Sequence, residues 1–119
     1  MIEYRLILEE DVAGVVELCA AEPWPSYVEN PKRTWNVLTA PGVTTVAAVD
    51  EGQVVGFIQM QSDGHIQAHI SLILVAANRR RQGIGRQLVR EAFRRSGAKR
   101  VDLITEDAHA FYRSFAHKE

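Results

Sequence analysis

Residues 75–86 have the sequence VAANRRRQGIGR, and they connect a predicted buried strand to a predicted amphipathic helix. The first backbone N–H groups of a helix have no intrahelical acceptor and carry partial positive charge, so this position favours an anion. Gly83 and Gly85 have no Cβ atom to keep the oxygens of a ligand away from the backbone. The four arginines add forked donors that suit phosphate. The stretch therefore predicts a phosphate-binding turn between a strand and a helix.

The same residues exclude two common phosphate loops. A Walker A loop requires Gly-x-x-x-x-Gly-Lys followed by Ser or Thr, and the chain contains no such string. The dinucleotide-binding fingerprint requires Gly-x-Gly-x-x-Gly, but residues 83–88 are GIGRQL and lack the third glycine.

Hydrophobic periodicity predicts elements on both sides of this turn in the order β-α-α-β-β-β-α-β-α. A helix capped by Asp11 and a shorter helix opened by Pro31 precede a three-strand meander. Gly97 is the predicted C-terminal cap of the helix that follows the turn. We expect one α+β domain over residues 1–119, with a mixed β-sheet flanked by helices. The predicted strands span residues 2–8, 43–49, 54–61, 66–75 and 101–104, and the last two helices span residues 85–96 and 107–115.

The pattern RxxGxG at residues 80–85 resembles the signature of the GCN5-related N-acetyltransferase (GNAT) superfamily at its strand-to-helix turn. Val75 corresponds to the valine that ends the fourth strand of these proteins, and AxxFY at residues 108–112 resembles part of their last helix. The order of elements also fits, so the resemblance covers nearly the whole chain. It implies an enzyme that transfers an acetyl group from acetyl-CoA directly to a primary amine of a small molecule or peptide.

The resemblance also implies where acetyl-CoA binds. The backbone amides from Arg81 to Arg86 would hold its pyrophosphate, and the backbone of Leu74 and Val75 would pair with its pantetheine arm like an added strand. The implied cofactor-binding residues are Leu74, Val75, Arg80, Arg81, Gln82, Gly83, Ile84, Gly85 and Arg86.

Acyl transfer to an amine requires a base for the amine proton and benefits from an acid for the thiolate leaving group. Tyr112 stands where the family places the acid. His69 resembles one of two histidines of arylalkylamine N-acetyltransferases, and the second position is Ser71 here. The alternatives are that Tyr112 only packs in the core and that His69 faces solvent or packs against a helix.

The sequence departs from the family pattern at its C-terminus. The family commonly adds two closing strands, and nothing after Glu119 remains to build them. The chain is either truncated, a minimal member, or completed by a second subunit. An uncovered strand edge favours pairing with another chain, so we expect a homodimer through the open sheet edge. Loss of these strands also leaves a second function open, a catalytically impaired acyl-CoA-binding module.

The composition of the chain limits the classes of partner that it is expected to bind. The chain of 119 residues has a net charge of −1 and one cysteine, Cys19. No apolar run reaches the ~18 residues of a membrane span. The arginines between Arg79 and Arg100 are accompanied by no nucleic-acid motif or aromatic platform. We therefore expect a cytoplasmic protein with no metal, no membrane and no nucleic acid among its partners, and an amine acceptor of unknown identity.

Overall fold

A computed structural model of the chain describes residues 1–22 and 24–103. Five strands form one sheet in the order β1-β2-β3-β4-β5. The pairs from β1 to β4 are antiparallel, and β4 and β5 are parallel. The strands and α-helices are β1 (Ile2–Leu6), α1 (Val12–Ala21), α2 (Pro31–Leu38), β2 (Val43–Asp50), β3 (Gln53–Ser62), β4 (Gln67–Val75), α3 (Ile84–Ser96) and β5 (Arg100–Leu103).

These elements confirm the predicted α+β fold with a mixed sheet and its order through the fifth strand. The predicted last helix, residues 107–115, lies outside the described residues. The first strand ends two residues earlier than predicted, at Leu6. Asp11 does precede α1, but its carboxylate accepts hydrogen bonds from Leu8 N and Arg5 Nη2, at 2.9 Å and 2.8 Å, rather than from a helix amide.

Turn residues end the elements where the sequence predicts. The β2–β3 hairpin turns at Glu51 and Gly52, which have φ of 51° and 81°. Two consecutive residues with positive φ are typical of tight hairpin turns, because their twist matches that of the strands. Gly97 ends α3 in the left-handed conformation, with φ of 78°.

Helices cover both faces of the sheet. On one face α3 buries Ile84, Leu88 and Ala92 against β2, β3 and β4. Their spacing of four residues places them on one side of the helix. On the other face α1 and α2 bury Val15, Cys19 and Leu38 against the same strands. The sheet is therefore the middle layer of the molecule, with its apolar side chains divided between two clusters.

A bulge in β4 changes which side chains face each cluster. Gln59 of β3 pairs with Leu72, and the next residue, Met60, pairs with Ile70, so Ser71 is an extra residue in β4. Before the bulge, Ile70 packs in the α3 cluster; after it, Leu72 packs in the α1/α2 cluster. Bulges of this kind bend a strand and interrupt its pairing.

Candidate active site

The predicted phosphate-binding turn leaves consecutive backbone N–H groups unpaired. A short 3-10 turn at Ala77–Arg79 follows β4, and Arg81 and Gly83 then adopt left-handed conformations with φ of 65° and 82°. Within residues 1–22 and 24–103, the N–H groups of residues 81–85 donate to no acceptor, and the first bond of α3 joins Gln87 N to Gly83 O at 3.1 Å. These donors are therefore available to an anion.

Two arginines hold this turn against the rest of the protein. Arg79 donates to the Asp50 carboxylate at 2.8 Å, and this hydrogen bond lowers the pKa of Asp50 below its usual range. Arg80 donates from Nε to Val75 O at 3.0 Å and from Nη2 to a Glu22 carboxylate oxygen at 2.9 Å. The signature arginine thus ties the turn to the end of β4 and to the end of α1.

Among the predicted cofactor-binding residues, the side chains of the turn differ in exposure. Arg81, Gln82 and Gly83 are exposed, and Gly85 and Arg86 are half-buried. The side chain of Ile84 is buried in the α3 cluster, so only its backbone is available to a ligand.

Among the described residues, the second half of β4 has an open backbone edge. In these residues β4 pairs with β5 from Gln67 to Ile70, whose Cα partners are Arg100 and Leu103. In the described part of the chain, no strand pairs with residues 71–75 on that side, whereas β3 pairs with residues 72–75 on the other. Leu74 and Val75, the predicted pantetheine-binding residues, lie on this open segment.

Ser71 lies where the pairing of β4 with β5 ends. Its Oγ is buried and forms no hydrogen bond within the described residues. An unpaired buried polar group costs about 1–3 kcal/mol, so native proteins rarely keep one without a reason. The bulge therefore combines an open backbone edge with a hydroxyl group that a ligand could satisfy.

A cavity of about 280 Å³ lies between α1 and the end of β4. Its lining includes Glu17 of α1, Glu22 just after α1, Leu74 and Val75 of β4, and Arg79 of the 3-10 turn. The cavity thus lies beside the predicted pantetheine-binding residues and extends to Arg79, the residue before the predicted cofactor-binding residues 80–86.

His69, the predicted base, lies at the other end of β4. It lines an open groove of about 500 Å³ beside Gln61 and Asp63. Its Cα partner on β3 is Gln61, and it precedes the bulge residue Ser71 by two positions. Tyr112, the predicted acid, lies outside the described residues, so its role stays a prediction.

Sequence reasoning missed two polar residues that shape this face. Glu22 is the partner of Arg80, and no local pattern marks it. Gln59 is buried in the middle of β3, where its side-chain oxygen accepts a hydrogen bond from the Tyr27 hydroxyl. A glutamine inside the apolar run of residues 54–60 is a signal that could have indicated it.

Cys19, His65 and three aromatic residues between α1 and β2 differ in burial. Cys19 is fully buried, and this burial raises the pKa of its thiol to about 11. His65 is exposed at the β3–β4 turn. Tyr27 and Trp35 pack against the α1/α2 cluster, and Trp24 is 37% exposed.

Residues 1–22 and 24–103 contain no group of three or more His, Cys, Asp or Glu side chains that could hold a metal ion. None of the helices in these ranges combines the length and the apolar character that crossing a bilayer requires.

Residues 7–116 match the acetyltransferase (GNAT) family. The chain belongs to this family. Membership confirms the class of enzyme that the RxxGxG pattern predicts, an N-acetyltransferase. No match was found among curated proteins.

Solved structures of other GNAT proteins share the fold. An acetyltransferase of the family from Streptococcus pneumoniae TIGR4 is 25% identical, with 98% of this chain and 85% of that chain covered and a TM-score of 0.65. A ribosomal-protein-alanine N-acetyltransferase from Brucella melitensis biovar Abortus 2308 is 16% identical, with 97% and 90% covered and a TM-score of 0.73. An aminoglycoside N-acetyltransferase in complex with CoA is 14% identical, with 99% and 86% covered and a TM-score of 0.74.

Proposed function

We propose that this GNAT protein transfers an acetyl group from acetyl-CoA directly to a primary amine of a small molecule or peptide. The observation that supports this most is the row of unpaired N–H groups at residues 81–85, next to the open edge of β4. A diphosphate and an extended amide chain are the ligand groups that would complete these two sets of backbone bonds.

The residues present fit acetyl-CoA. A Cβ atom added at Gly83 would meet, apart from its two chain neighbours, no atom of the described residues within 4 Å, so the space beside its backbone is open to a phosphate. In this proposal the backbone from Arg81 to Arg86 binds the pyrophosphate, and Arg80 positions the turn. Leu74 and Val75 would bind the pantetheine arm and lead the thioester toward Ser71.

The reaction requires a neutral amine and a protonated leaving group. The amine nitrogen attacks the thioester carbonyl carbon, the new C–N bond forms, and the C–S bond breaks. In this proposal His69 accepts the proton of the amine, directly or through water, and Tyr112 donates a proton to the CoA thiolate. A backbone N–H of the open β4 edge would stabilise the oxyanion of the intermediate.

Release of free thiol tests this proposal. The purified protein is incubated with acetyl-CoA and a panel of amines, and both CoA thiol and acetylated amine are measured. We expect the two products in equal amounts for at least one class of amine. Binding of acetyl-CoA with no thiol release for any amine would indicate the acyl-CoA-binding module instead, and no binding at all would contradict both.

We further propose that two copies associate through the open sheet edge. Support comes from β5, which pairs only with β4 among the described residues and therefore has a second edge available. Sedimentation velocity should show a dimer at micromolar concentration, and a monomer throughout that range would contradict it.

We also propose a cytoplasmic location. The support is the single cysteine, Cys19, which is a buried free thiol.

A further inference from the structure

The groove that contains His69 lies at one end of a sheet face that α1 and α2 bury, and α1 and α2 do not cover this end. Its floor is a row across three strands, in which Val43, Gln61 and His69 are Cα partners. The next row holds Thr45 and Gln59, which are buried. The Thr45 hydroxyl donates a hydrogen bond to Leu38 O at the end of α2, at 2.6 Å. The Gln59 side-chain oxygen accepts a hydrogen bond from the Tyr27 hydroxyl. The segment from Tyr27 to the end of α2 therefore covers the row of Thr45 and Gln59 but not the neighbouring row, which forms the floor of the groove.

The groove is close to the bulge where the thioester is proposed to lie. His69 precedes Ser71 by two residues, which is about 7 Å along a strand. An acceptor whose amine reached the bulge would therefore extend its remaining atoms over Gln61 and His69. The volume of about 500 Å³ is suited to a small molecule.

The chemistry of the lining is selective. Eight residues of the described part of the chain line the groove, and none of them is phenylalanine, tyrosine, tryptophan, lysine or arginine. Among these eight, an arylalkylamine would find only the His69 imidazole as a ring to pack against, and the carboxylate of an α-amino acid would find no guanidinium or ammonium partner. The polar side chains of the lining are those of Gln61, Ser62, Asp63, Gln67 and His69.

Asp63 supplies a fixed negative charge at one end of the groove. Its Oδ1 accepts hydrogen bonds from the backbone N–H groups of His65, Ile66 and Gln67, at 2.8 Å, 2.8 Å and 3.2 Å. These bonds lower the pKa of Asp63 below its usual range, so the carboxylate is ionised at neutral pH. Its Oδ2 accepts no hydrogen bond in the part of the chain that the structure describes, and a cation can approach it.

We propose that this groove binds the acceptor and that the acceptor is a hydroxylated cationic amine, such as an amino sugar. The inference rests on the proposed acetyl transfer and adds the substrate class. Hydroxyl groups can both donate to and accept from the Gln61 amide. Asp63 attracts the ammonium form of the acceptor into the groove, and the amine loses its proton before it attacks the thioester. The reacting amine is the one nearest the bulge.

Matched acceptors test this class. D-glucosamine and cyclohexylamine both carry an amine on a six-membered ring, but only the first has ring hydroxyl groups. We expect kcat/KM for glucosamine to exceed that for cyclohexylamine at least about tenfold, the effect of one hydrogen bond of about 1.4 kcal/mol. Phenethylamine and glycine should be poorer than glucosamine. A preference for phenethylamine, glycine or cyclohexylamine would overturn the proposal.

Substitution of Gln61 tests the place of binding. Gln61→Leu should raise the KM for glucosamine about tenfold with kcat nearly unchanged, and should leave the KM for cyclohexylamine unaltered. Gln61→Glu adds a carboxylate and should lower the KM for glucosamine. The control is Asn36→Leu, the same kind of change at an exposed position of α2 outside the groove, which should alter neither.

The outcomes separate this inference from the proposed function. If no amine releases CoA thiol, the acetyl transfer itself is contradicted. If thiol is released but Gln61→Leu and Gln61→Glu both leave the KM for glucosamine unchanged, the transfer stands and the acceptor groove is contradicted.

Discussion

Gly83 is the residue whose replacement should separate ligand binding from stability. Its φ of 82° is strained for any residue with a Cβ, yet an added Cβ would touch no protein atom within 4 Å. Gly83→Ala should therefore lower the free energy of unfolding by only about 1 kcal/mol. The affinity for acetyl-CoA should fall at least about tenfold, because the methyl group occupies the space proposed for a phosphate. Calorimetric titration measures the affinity.

Gly52 provides the matched control for this change. It has nearly the same φ, 81°, and an added Cβ would likewise meet nothing within 4 Å, but it lies in the β2–β3 hairpin. Gly52→Ala should cost about the same stability and leave acetyl-CoA affinity unchanged. Equal affinities for the two variants would show that Gly83 is not beside the ligand.

Tyr112 is proposed as the acid for the leaving thiolate. Tyr112→Phe removes only the hydroxyl group, so turnover should fall by about 10²-fold while acetyl-CoA affinity stays nearly the same. Steady-state kinetics and calorimetry on the same preparation measure both quantities. Unaltered turnover in the folded variant would remove Tyr112 from the mechanism.

At the scale of elements, the contact between α1 and β3 depends on a glycine. A Cβ added at Gly14 would lie 2.7 Å from Val54 Cγ2 and 2.8 Å from Val54 Cβ. Gly14→Ala should therefore destabilise the protein by about 1–2 kcal/mol, because overpacking outweighs the better helix propensity of alanine. Urea unfolding measures the difference.

A second substitution checks the cause. Val54→Ala removes Cγ2, the atom at 2.7 Å, and keeps Cβ, the atom at 2.8 Å, so it relieves part of the clash. The double variant should therefore be more stable than the sum of the two single effects predicts. Strict additivity would mean that the two residues do not clash.

The elements themselves were largely predictable from the sequence, because hydrophobic periodicity and turn residues act over short distances. The turn at residues 80–86 was predictable for the same reason, since consecutive residues build it. The bulge at Ser71 was not, because it depends on how β4 pairs with β3. The partners of the turn arginines also escaped prediction: Glu22 is 58 residues from Arg80, and Asp50 is 29 residues from Arg79.

At the scale of the whole molecule, the buried thiol of Cys19 should couple stability to pH. Burial raises its pKa from 9.0 to about 11, so the folded state holds the proton more tightly than the unfolded state. This contribution is complete below pH 9 and is lost as the pH rises toward 11, by at most about 2–3 kcal/mol. Chemical unfolding at several pH values measures it, and Cys19→Ala should show a shallower decline. Equal slopes for both proteins would contradict this.

At this scale too, the proposed acetyl transfer depends on one binding event, that of a CoA diphosphate to the N–H groups that precede and begin α3. Amide proton and nitrogen chemical shifts of ¹⁵N-labelled protein, followed during titration with acetyl-CoA, test it most directly. We predict the largest shifts at Gln82, Gly83, Ile84 and Gly85, with smaller ones along residues 71–75 and none at the Gly52 hairpin. Saturating acetyl-CoA that leaves the amides of residues 82–85 unmoved would contradict the account.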